Sequence, residues 1–156
     1  MESSLDAVDQ QILYYLQADS RTPVTTIAEE LNVSDNTVRN RIRKLEESGV
    51  IEGYSIQINY DHADIPHYYV FICTVRVSER EQVAKRAEDV PGVLEVMTVM
   101  TGTGNIHIRA AAVDKHEITQ IAQRLDEMGL TVEQEHLIWS NTYKPFTLFG
   151  LDETVE

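Results

Sequence analysis

The sequence predicts an α+β protein of two domains, a helical one at residues 1–60 and a mixed one at residues 61–150, followed by a short tail at 151–156. Two observations support this division. The spacing of apolar residues is helical before residue 60 and changes to alternating strand patterns beyond it. The chain has 156 residues, of which 42% are hydrophobic, enough for two small cores and too many for a disordered chain.

The first region predicts three helices. The apolar positions of the first helix are three or four residues apart: Leu5, Val8, Ile12 and Leu16. A short second helix is expected to start at Thr25 or Thr26, and residues 32–33 form a tight turn after it. Ser34 is a favourable N-cap for a third helix, which Gly49 ends. A short helix, a tight turn and a longer helix form the helix-turn-helix arrangement.

After the third helix the sequence predicts a strand at residues 50–58, because Tyr54, Ile56 and Ile58 occupy every second position, as in a strand. Residues 59–67, which contain two aspartates and a proline, predict a linker. The two domains are therefore expected to meet near residue 60.

Beyond the linker, strand and helix patterns alternate. The predicted strands are residues 68–77, 94–101, 105–112 and 132–139. The predicted helices are residues 80–89 and 116–128. The resulting order βαββαβ is that of a ferredoxin-like domain. Residues 142–149 are expected to add an edge strand, since Pro145 excludes them from the centre of a sheet.

The first strand of the second domain is apolar on both sides. Tyr68, Val70 and Ile72 point one way, and the residues between and after them point the other way: Tyr69, Phe71, Cys73 and Val75. Because both helices of this fold lie on one face of the sheet, the other face would meet water at about 25 cal/mol per Å² of apolar area. We expect this face to be buried against a second chain, in an obligate dimer or larger assembly. The alternative is that the C-terminal segment covers it.

The chain is acidic, with 26 Asp and Glu against 13 Lys and Arg and a net charge of −13. The acids are dispersed along the chain, and only four of the basic residues are Lys. This pattern resembles proteins adapted to a salt-rich cytoplasm, such as that of a halophilic archaeon. The alternative is an ordinary acidic protein that its charge keeps soluble.

Several classes of protein are disfavoured. The single cysteine, Cys73, rules out an internal disulfide, and the Cys and His residues lack the spacing of a zinc site. The longest strongly apolar stretch, residues 68–75, is too short to cross a bilayer, and no signal-peptide pattern stands at the N-terminus. No phosphate-binding loop or nucleophile motif is present. We therefore expect a cytoplasmic protein without a metal, a cofactor or catalytic residues.

The third helix has a polar side opposite Val38, Ile42 and Leu45. Four of the 13 basic residues of the chain lie between Arg39 and Lys44. An ordinary solvated face is the alternative, but this clustering in an acidic chain favours DNA binding. Asn and Arg pair with base edges, whereas Lys, Ser and Thr contact phosphates. The candidate DNA-binding residues are Arg21, Ser34, Asn36, Thr37, Arg39, Asn40, Arg43 and Lys44.

A series of short motifs runs through the first 55 residues. The motif residues are Leu5, Asp6, Asp9, Ile12 and Leu13; Asp19, Ser20 and Arg21; Ile27 and Ala28; Ser34, Thr37 and Val38; Arg41, Ile42, Leu45 and Glu46; and Gly49, Val50, Ile51, Gly53 and Tyr54. Together these motifs resemble the Lrp/AsnC family of transcription regulators. The resemblance implies a winged helix-turn-helix that binds double-stranded DNA and a second domain that forms homodimers, which in the family assemble further into tetramers or octamers. It also implies a small-molecule effector, commonly an amino acid, bound between second domains.

The family's effector site centres on the turn between the second and third strands of that domain, with a glycine, two variable residues and an aspartate. Gly102 matches the glycine, whereas Asn105 replaces the acid that would pair with an ammonium group, and Gly104 stands where an aromatic residue is frequent. Backbone N–H groups beside the two glycines could still bind a carboxylate. An ordinary hairpin turn is the alternative. The candidate effector-binding residues are Thr101, Gly102, Thr103, Gly104 and Asn105.

Two rival functions stay open at the level of sequence. Proteins with a similar two-domain plan include sirohaem decarboxylases, which bind a tetrapyrrole in the second domain; here His107, Arg109 or His136 would engage such a ligand. The other rival is an amino-acid sensor that does not bind DNA, and the intact polar face of the third helix argues against it. Stoichiometric uptake of a tetrapyrrole would favour the enzyme over the regulator.

Overall fold

The structure is a computed structural model that describes residues 5–149. Its described residues form two compact units, one made of residues 5–56 and 142–149 and the other of Gln57–Asn141. Within the described range, every helix is too short or too polar to span a membrane.

Three helices make up the first unit: α1 at Ala7–Ala18, α2 at Val24–Leu31 and α3 at Asp35–Glu47. Asp6 begins α1 with a capping box, because its side chain accepts the Asp9 N–H while the Asp9 side chain accepts the Asp6 N–H. The small core of this unit joins all three helices through Ile12, Leu13, Ile27, Ala28, Val38 and Leu45. The prediction of three helices is confirmed.

The start of α2 lies one or two residues before the predicted Thr25 or Thr26. Pro23 occupies the N-cap position with φ −60°, so its ring sets the backbone for the helix without a side-chain cap. At the other end Asn32 takes a left-handed conformation with φ 52°, and this reverses the chain before α3. Ser34 then caps α3, as predicted, by accepting the Thr37 N–H at 3.1 Å.

The strand predicted at residues 50–58 is wrong. After Gly49, which has φ +76°, the backbone follows an irregular path. The alternation of apolar residues is real, but a strand needs a hydrogen-bonding partner, and the described part of this chain offers none to these residues. Ile56 is 82% exposed. Tyr54 is held by its hydroxyl, which donates to Glu46 Oε1 at 2.8 Å.

The second unit has the predicted order βαββαβ. Its elements are β1 at His67–Thr74, α4 at Arg80–Ala87, β2 at Val93–Thr98, β3 at Ile106–Ala112, α5 at Lys115–Glu127 and β4 at Thr131–Leu137. The strands pair antiparallel in the order β2-β3-β1-β4, which is the ferredoxin-like arrangement. β1 ends before the predicted residue 77, because a 3-10 turn at Val77–Glu79 leads into α4.

One face of the sheet packs on α4 and α5. Phe71 of β1 lies opposite Ile108 of β3, and both side chains are fully buried. Alternate residues of β3 are buried along its length, which is the pattern of a strand with one face in a core. The buried helix residues that complete this core are Val83, Ala84, Ala87, Ile118, Ile121 and Leu125.

The opposite face of the sheet, here called the open face, carries the other residues of each strand. The register places on it Tyr68, Val70, Ile72 and Thr74 of β1, Glu95 and Met97 of β2, His107 and Arg109 of β3, and Gln134 and His136 of β4. The prediction that β1 is apolar on both sides is confirmed. An ion pair also stands on the open face, since Arg109 Nε lies 2.5 Å from Glu95 Oε2.

The edge strand predicted at residues 142–149 is wrong, and the segment lies with the first unit rather than with the sheet. It ends in a 3-10 turn at Thr147–Phe149. The backbone N–H of Phe146 donates to Gln17 Oε1 of α1 at 3.1 Å, and Phe149 packs on the helical core. These two contacts hold the segment against α1 and the helical core. The predicted tail at 151–156 lies outside the described residues.

Candidate nucleic-acid interface and effector loop

The outward side of α3 carries the polar residues that the helical periodicity of the sequence predicts there. Asn36, Arg39, Arg43 and Lys44 are exposed. Thr37 and Asn40 are half-buried between them and the core-facing residues. The helix therefore brings six candidate DNA-binding residues to one continuous polar surface, here called the α3 face.

Arg43 and Asn40 are already paired on the α3 face. The guanidinium Nη2 of Arg43 donates to Asn40 Oδ1 at 3.3 Å, one helical turn away. Arg43 Nε also lies 3.9 Å from Glu47 Oε1, and the Arg43 side chain is 65% exposed. Bonds at such an exposed site are weak. Such bonds orient the two side chains and are readily exchanged for contacts with a partner.

The two remaining candidates lie near helix ends. Ser34 caps α3, and its hydroxyl oxygen is also 2.9 Å from Thr37 Oγ1. Arg21 is exposed in the turn between α1 and α2, where the Asp19 side chain accepts its backbone N–H at 2.9 Å. The guanidinium of Arg21 thus projects from a turn that Asp19 fixes.

Arg41 is a basic residue of α3 that serves the fold. Its Nη1 donates to Asp6 Oδ2 at 2.5 Å and to both oxygens of Asp9, at 3.2 and 3.3 Å. The backbone N–H of Asp9, together with Arg41, holds the pKa of Asp6 below its ordinary value. Arg41 therefore joins α3 to the start of α1. Sequence reasoning did not identify these partners, because Asp6 and Asp9 are distant from Arg41 in sequence.

The turn between β2 and β3, here called the effector loop, is fastened at both ends. The backbone N–H of Val99 donates to Asn105 O at 2.9 Å, and Arg80 of α4 donates through Nη1 to Val99 O at 3.1 Å. Near the other end, His107 Nε2 lies 3.0 Å from Gly104 O. The tip, residues 101–103, is exposed. The Thr101 hydroxyl donates to Thr103 O at 2.7 Å and tightens this tip.

Gly104 is required by the backbone. Its φ is +56°, in the left-handed region that favours glycine, and a Cβ there would lie 3.3 Å from Ile72 Cγ2. Its N–H donates to the Thr74 hydroxyl oxygen at 2.6 Å and is thus already engaged, contrary to the expectation of an open N–H at this glycine. At Gly102 no atom of the other residues in the range 5–149, its two chain neighbours apart, lies within 4 Å of the corresponding position, which leaves that part of the tip open.

Asn105 does not face a ligand site. Its side chain is fully buried, its Oδ1 accepts the Val75 N–H at 3.0 Å and its Nδ2 donates to Val75 O at 2.9 Å. These two bonds satisfy the backbone of Val75 just beyond the end of β1, where the ladder with β3 stops. The expectation that Asn105 binds the effector is corrected, because the amide is enclosed and serves the fold.

The residues considered for a tetrapyrrole all lie on the open face, and each has a protein partner. His107 contacts Gly104 O, and His136 Nε2 lies 2.9 Å from Gln134 Oε1. Arg109 pairs with Glu95.

Burial raises the pKa of the Cys73 thiol to about 12, so this thiol is not a reactive nucleophile. Within residues 5–149 no cluster of His, Cys, Asp or Glu has the geometry to hold a metal ion.

Comparison with known proteins agrees with this arrangement. Residues 5–46 match the model of the AsnC-type helix-turn-helix domain. An uncharacterized HTH-type transcriptional regulator of Pyrococcus abyssi is 50% identical over 58 residues, which are 37% of this chain and only 40% of that protein. The HTH-type transcriptional regulator LysM of Saccharolobus solfataricus is 31% identical over 126 residues, 81% of this chain and 84% of that protein.

The fold is shared with solved structures as well. A transcriptional regulator of Neisseria meningitidis, solved as a complex with L-methionine, superimposes with a TM-score of 0.75 at 19% identity, covering 92% of this chain and 95% of that one. The helix-turn-helix match and the similarity to LysM over most of both chains define the family: the chain belongs to the Lrp/AsnC family.

Proposed function

We propose that this chain is a sequence-specific DNA-binding transcription regulator that acts as a symmetric homodimer, which assembles further into tetramers or octamers. The helical unit binds double-stranded DNA, and the second unit binds the effector and forms the dimer. The observation that carries the proposal is the α3 face, where Asn36, Asn40 and Arg43 stand beside Arg39 and Lys44 in a chain of net charge −13.

In this mechanism α3 enters the major groove with the α3 face toward the bases. The amide of Asn36 or Asn40 pairs with adenine, and the guanidinium of Arg43 pairs with guanine O6 and N7. Arg39 and Thr37, on the flanks of the α3 face, contact phosphates, and Lys44 does the same. Ser34 and Arg21, near helix ends, add further phosphate contacts. Two such helices in a dimer read half-sites about one helical turn, or a multiple of it, apart.

The acidity of the chain is compatible with DNA binding in a salt-rich cytoplasm. At ~1 M salt the Debye length is about 3 Å, so the net charge of −13 repels DNA only at contact distance. Counterion release also contributes little there. Affinity then depends on direct hydrogen bonds from the α3 face. This is why a regulator of a halophilic host can carry an acidic surface.

The open face supports the proposed dimer. Val70 and Ile72 lie on it, and Met97 is 48% exposed there. Packing two open faces together removes this apolar area from water, and the Arg109–Glu95 pair in their midst favours one register over others. We expect Val70→Asp to convert the dimer to monomers, measured by sedimentation velocity. Leu148→Asp, on the first unit, is the matched exposed control and is expected to leave the dimer intact.

The effector of this proposal is a small molecule of the amino-acid class, bound at the exposed tip of the effector loop. Its support is the open space beside Gly102, together with the L-methionine complex of the structurally similar Neisseria regulator. Its binding changes assembly or DNA affinity. The tetrapyrrole-binding enzyme has no support from the relatives, whose names describe transcriptional regulators.

The decisive experiment is a selection of genomic fragments by the purified full chain in molar potassium chloride. We expect enrichment of fragments that share a two-fold symmetric motif, followed by footprints at half-sites one turn apart. Random fragments of equal length serve as the control. Equal recovery of all fragments would overturn the proposal.

A further inference from the structure

We propose that Glu133 is the carboxylate that binds the ammonium group of the effector, in place of the acid that is missing at position 105. This inference rests on the proposed function, since it names the residue by which the effector loop would recognise an amino acid. The geometry that points to it is a bridge from Glu133 through the Thr74 hydroxyl to the effector loop.

A β-bulge places Glu133 at this point. In the pairing of β1 with β4, Cys73 lies opposite Val132 but Ile72 lies opposite Gln134, so Glu133 is the extra residue of β4. A bulge turns the side chain of its extra residue away from the regular alternation. Here the side chain of Glu133 reaches Thr74, and the Thr74 hydroxyl donates to Glu133 Oε1 at 2.6 Å.

The bridge connects this carboxylate to the effector loop directly. The same Thr74 oxygen that donates to Glu133 accepts the Gly104 N–H at 2.6 Å. Glu133 is exposed and carries a second carboxylate oxygen, to which the structure assigns no hydrogen bond within residues 5–149. A carboxylate positioned by one hydrogen bond and open at its other oxygen can accept an ammonium group.

The tip of the effector loop supplies the complementary donors. Within the described chain the N–H groups of Gly102 and Thr103 donate to no protein acceptor, and both residues are exposed. Backbone N–H groups in a glycine-containing turn bind anions. The Glu133 carboxylate and the N–H donors of the tip therefore offer opposite partners to the two charged ends of an α-amino acid. Asn105 takes no part, because its amide is buried against Val75.

Isothermal titration calorimetry of the full-length protein tests this assignment. The probes are the standard amino acids, each at millimolar concentration, and the 2-hydroxy acid with the same side chain as any amino acid that binds. We expect at least one amino acid to bind and its 2-hydroxy acid, which lacks the ammonium group, to fail. Glu133→Gln, which removes the charge and keeps the shape, is expected to weaken binding about tenfold or more.

The matched control is Glu135→Gln on the same strand, which lies opposite Phe71 and on the other side of the sheet. It is expected to leave the dissociation constant unchanged within about twofold. The urea midpoint of each variant, with no amino acid present, verifies the fold. If Glu133→Gln still binds DNA selectively in the absence of an effector, the proposed DNA-binding function does not depend on this effector site.

The inference is overturned if no amino acid binds the wild-type protein, if the 2-hydroxy acid binds as well as the amino acid, or if Glu133→Gln binds like wild type. None of these results affects the genomic-fragment selection. Conversely, amino-acid binding that depends on Glu133 in a protein that ignores DNA would support the site and overturn the regulator.

Discussion

The α3 face and the effector loop are both rich in polar residues, but the structure uses the side chains of the two regions differently. On the α3 face the polar groups are exposed or half-buried, and the contacts of Arg43 within residues 5–149 are long, weak bonds to Asn40 and Glu47. In the effector loop one of the five candidate effector-binding residues, Asn105, is fully buried, and both ends of its amide bond to the backbone of Val75.

This difference shows when polar composition predicts binding. On a helix, the period of 3.6 residues assigns each side chain to the core or to solvent, so a polar residue opposite the core is available to a partner. In a turn no period applies, and a polar side chain near a strand end is as useful to unpaired backbone as to a ligand. Mutations can therefore test whether the two regions differ as described.

The largest expected effect is on folding, from Asn105→Ala. The substitution leaves the buried N–H and C=O of Val75 without partners, which costs about 2–4 kcal/mol in the free energy of unfolding. Urea denaturation measures it. Thr103→Ala, at the exposed tip of the same loop, is the control, with a change within about 0.5 kcal/mol. If the urea midpoint of Asn105→Ala equals that of the wild type, the Asn105 amide does not stabilise the fold.

The next effect is on sequence discrimination, from Arg43→Ala. We expect a loss of ~1–3 kcal/mol of preference at one base position, with little change in stability because the side chain is 65% exposed. Competition binding with single-base variants of the selected site measures the loss. If specific and random DNA lose affinity equally, Arg43 contacts phosphate rather than a base.

A smaller effect separates two basic residues of α3 that lie three positions apart. Lys44→Ala is expected to lower the slope of log affinity against log salt by about one, because it removes a phosphate contact. Arg41→Met is expected to leave that slope unchanged, since its guanidinium is held by Asp6 and Asp9. If Arg41→Met does change the salt dependence of affinity, the Arg41 guanidinium contacts the DNA.

The smallest effect is a pH dependence from the same Arg41→Met variant. The pKa of Asp6 is lowered in the folded protein, so its ionised form stabilises the fold above the ordinary value of 3.8, and this contribution is lost as the pH falls through the lowered pKa. Without Arg41 the lowering is smaller, so the variant should lose less stability than wild type below about pH 4, by roughly 0.5 kcal/mol because the site is half exposed. The measurement is the stability of both proteins as a function of pH. If the two acid denaturation curves superimpose, Arg41 does not lower the pKa of Asp6.

Much of the fold could be predicted because its cores follow simple periods. Ile12 and Val38 mark the buried sides of α1 and α3, and Phe71 and Cys73 mark the buried side of β1. Two elements could not be predicted, because an apolar pattern does not state what will cover it. Residues 50–58 alternate like a strand but lack a ladder partner in the described chain, and Phe149 packs on helices instead of extending the sheet.

The candidate sites divide in the same way. Residues of the α3 face could be predicted from position alone. The partners of Arg41 and the bridge from Glu133 to Thr74 could not, because each joins residues that are distant in sequence. The bulge at Glu133 depends on how two strands pair, which no local pattern in β4 reveals.

The position of β4 also limits how copies of this protein can meet. It is an outer strand of the sheet, and it carries two glutamates and an irregularity at Glu133. A neighbouring molecule that tried to continue the ladder there would bring like charges together and meet a kinked backbone. Edge-to-edge pairing of β4 with the sheet of another molecule is thus disfavoured, which protects this outer strand from open-ended growth into fibres.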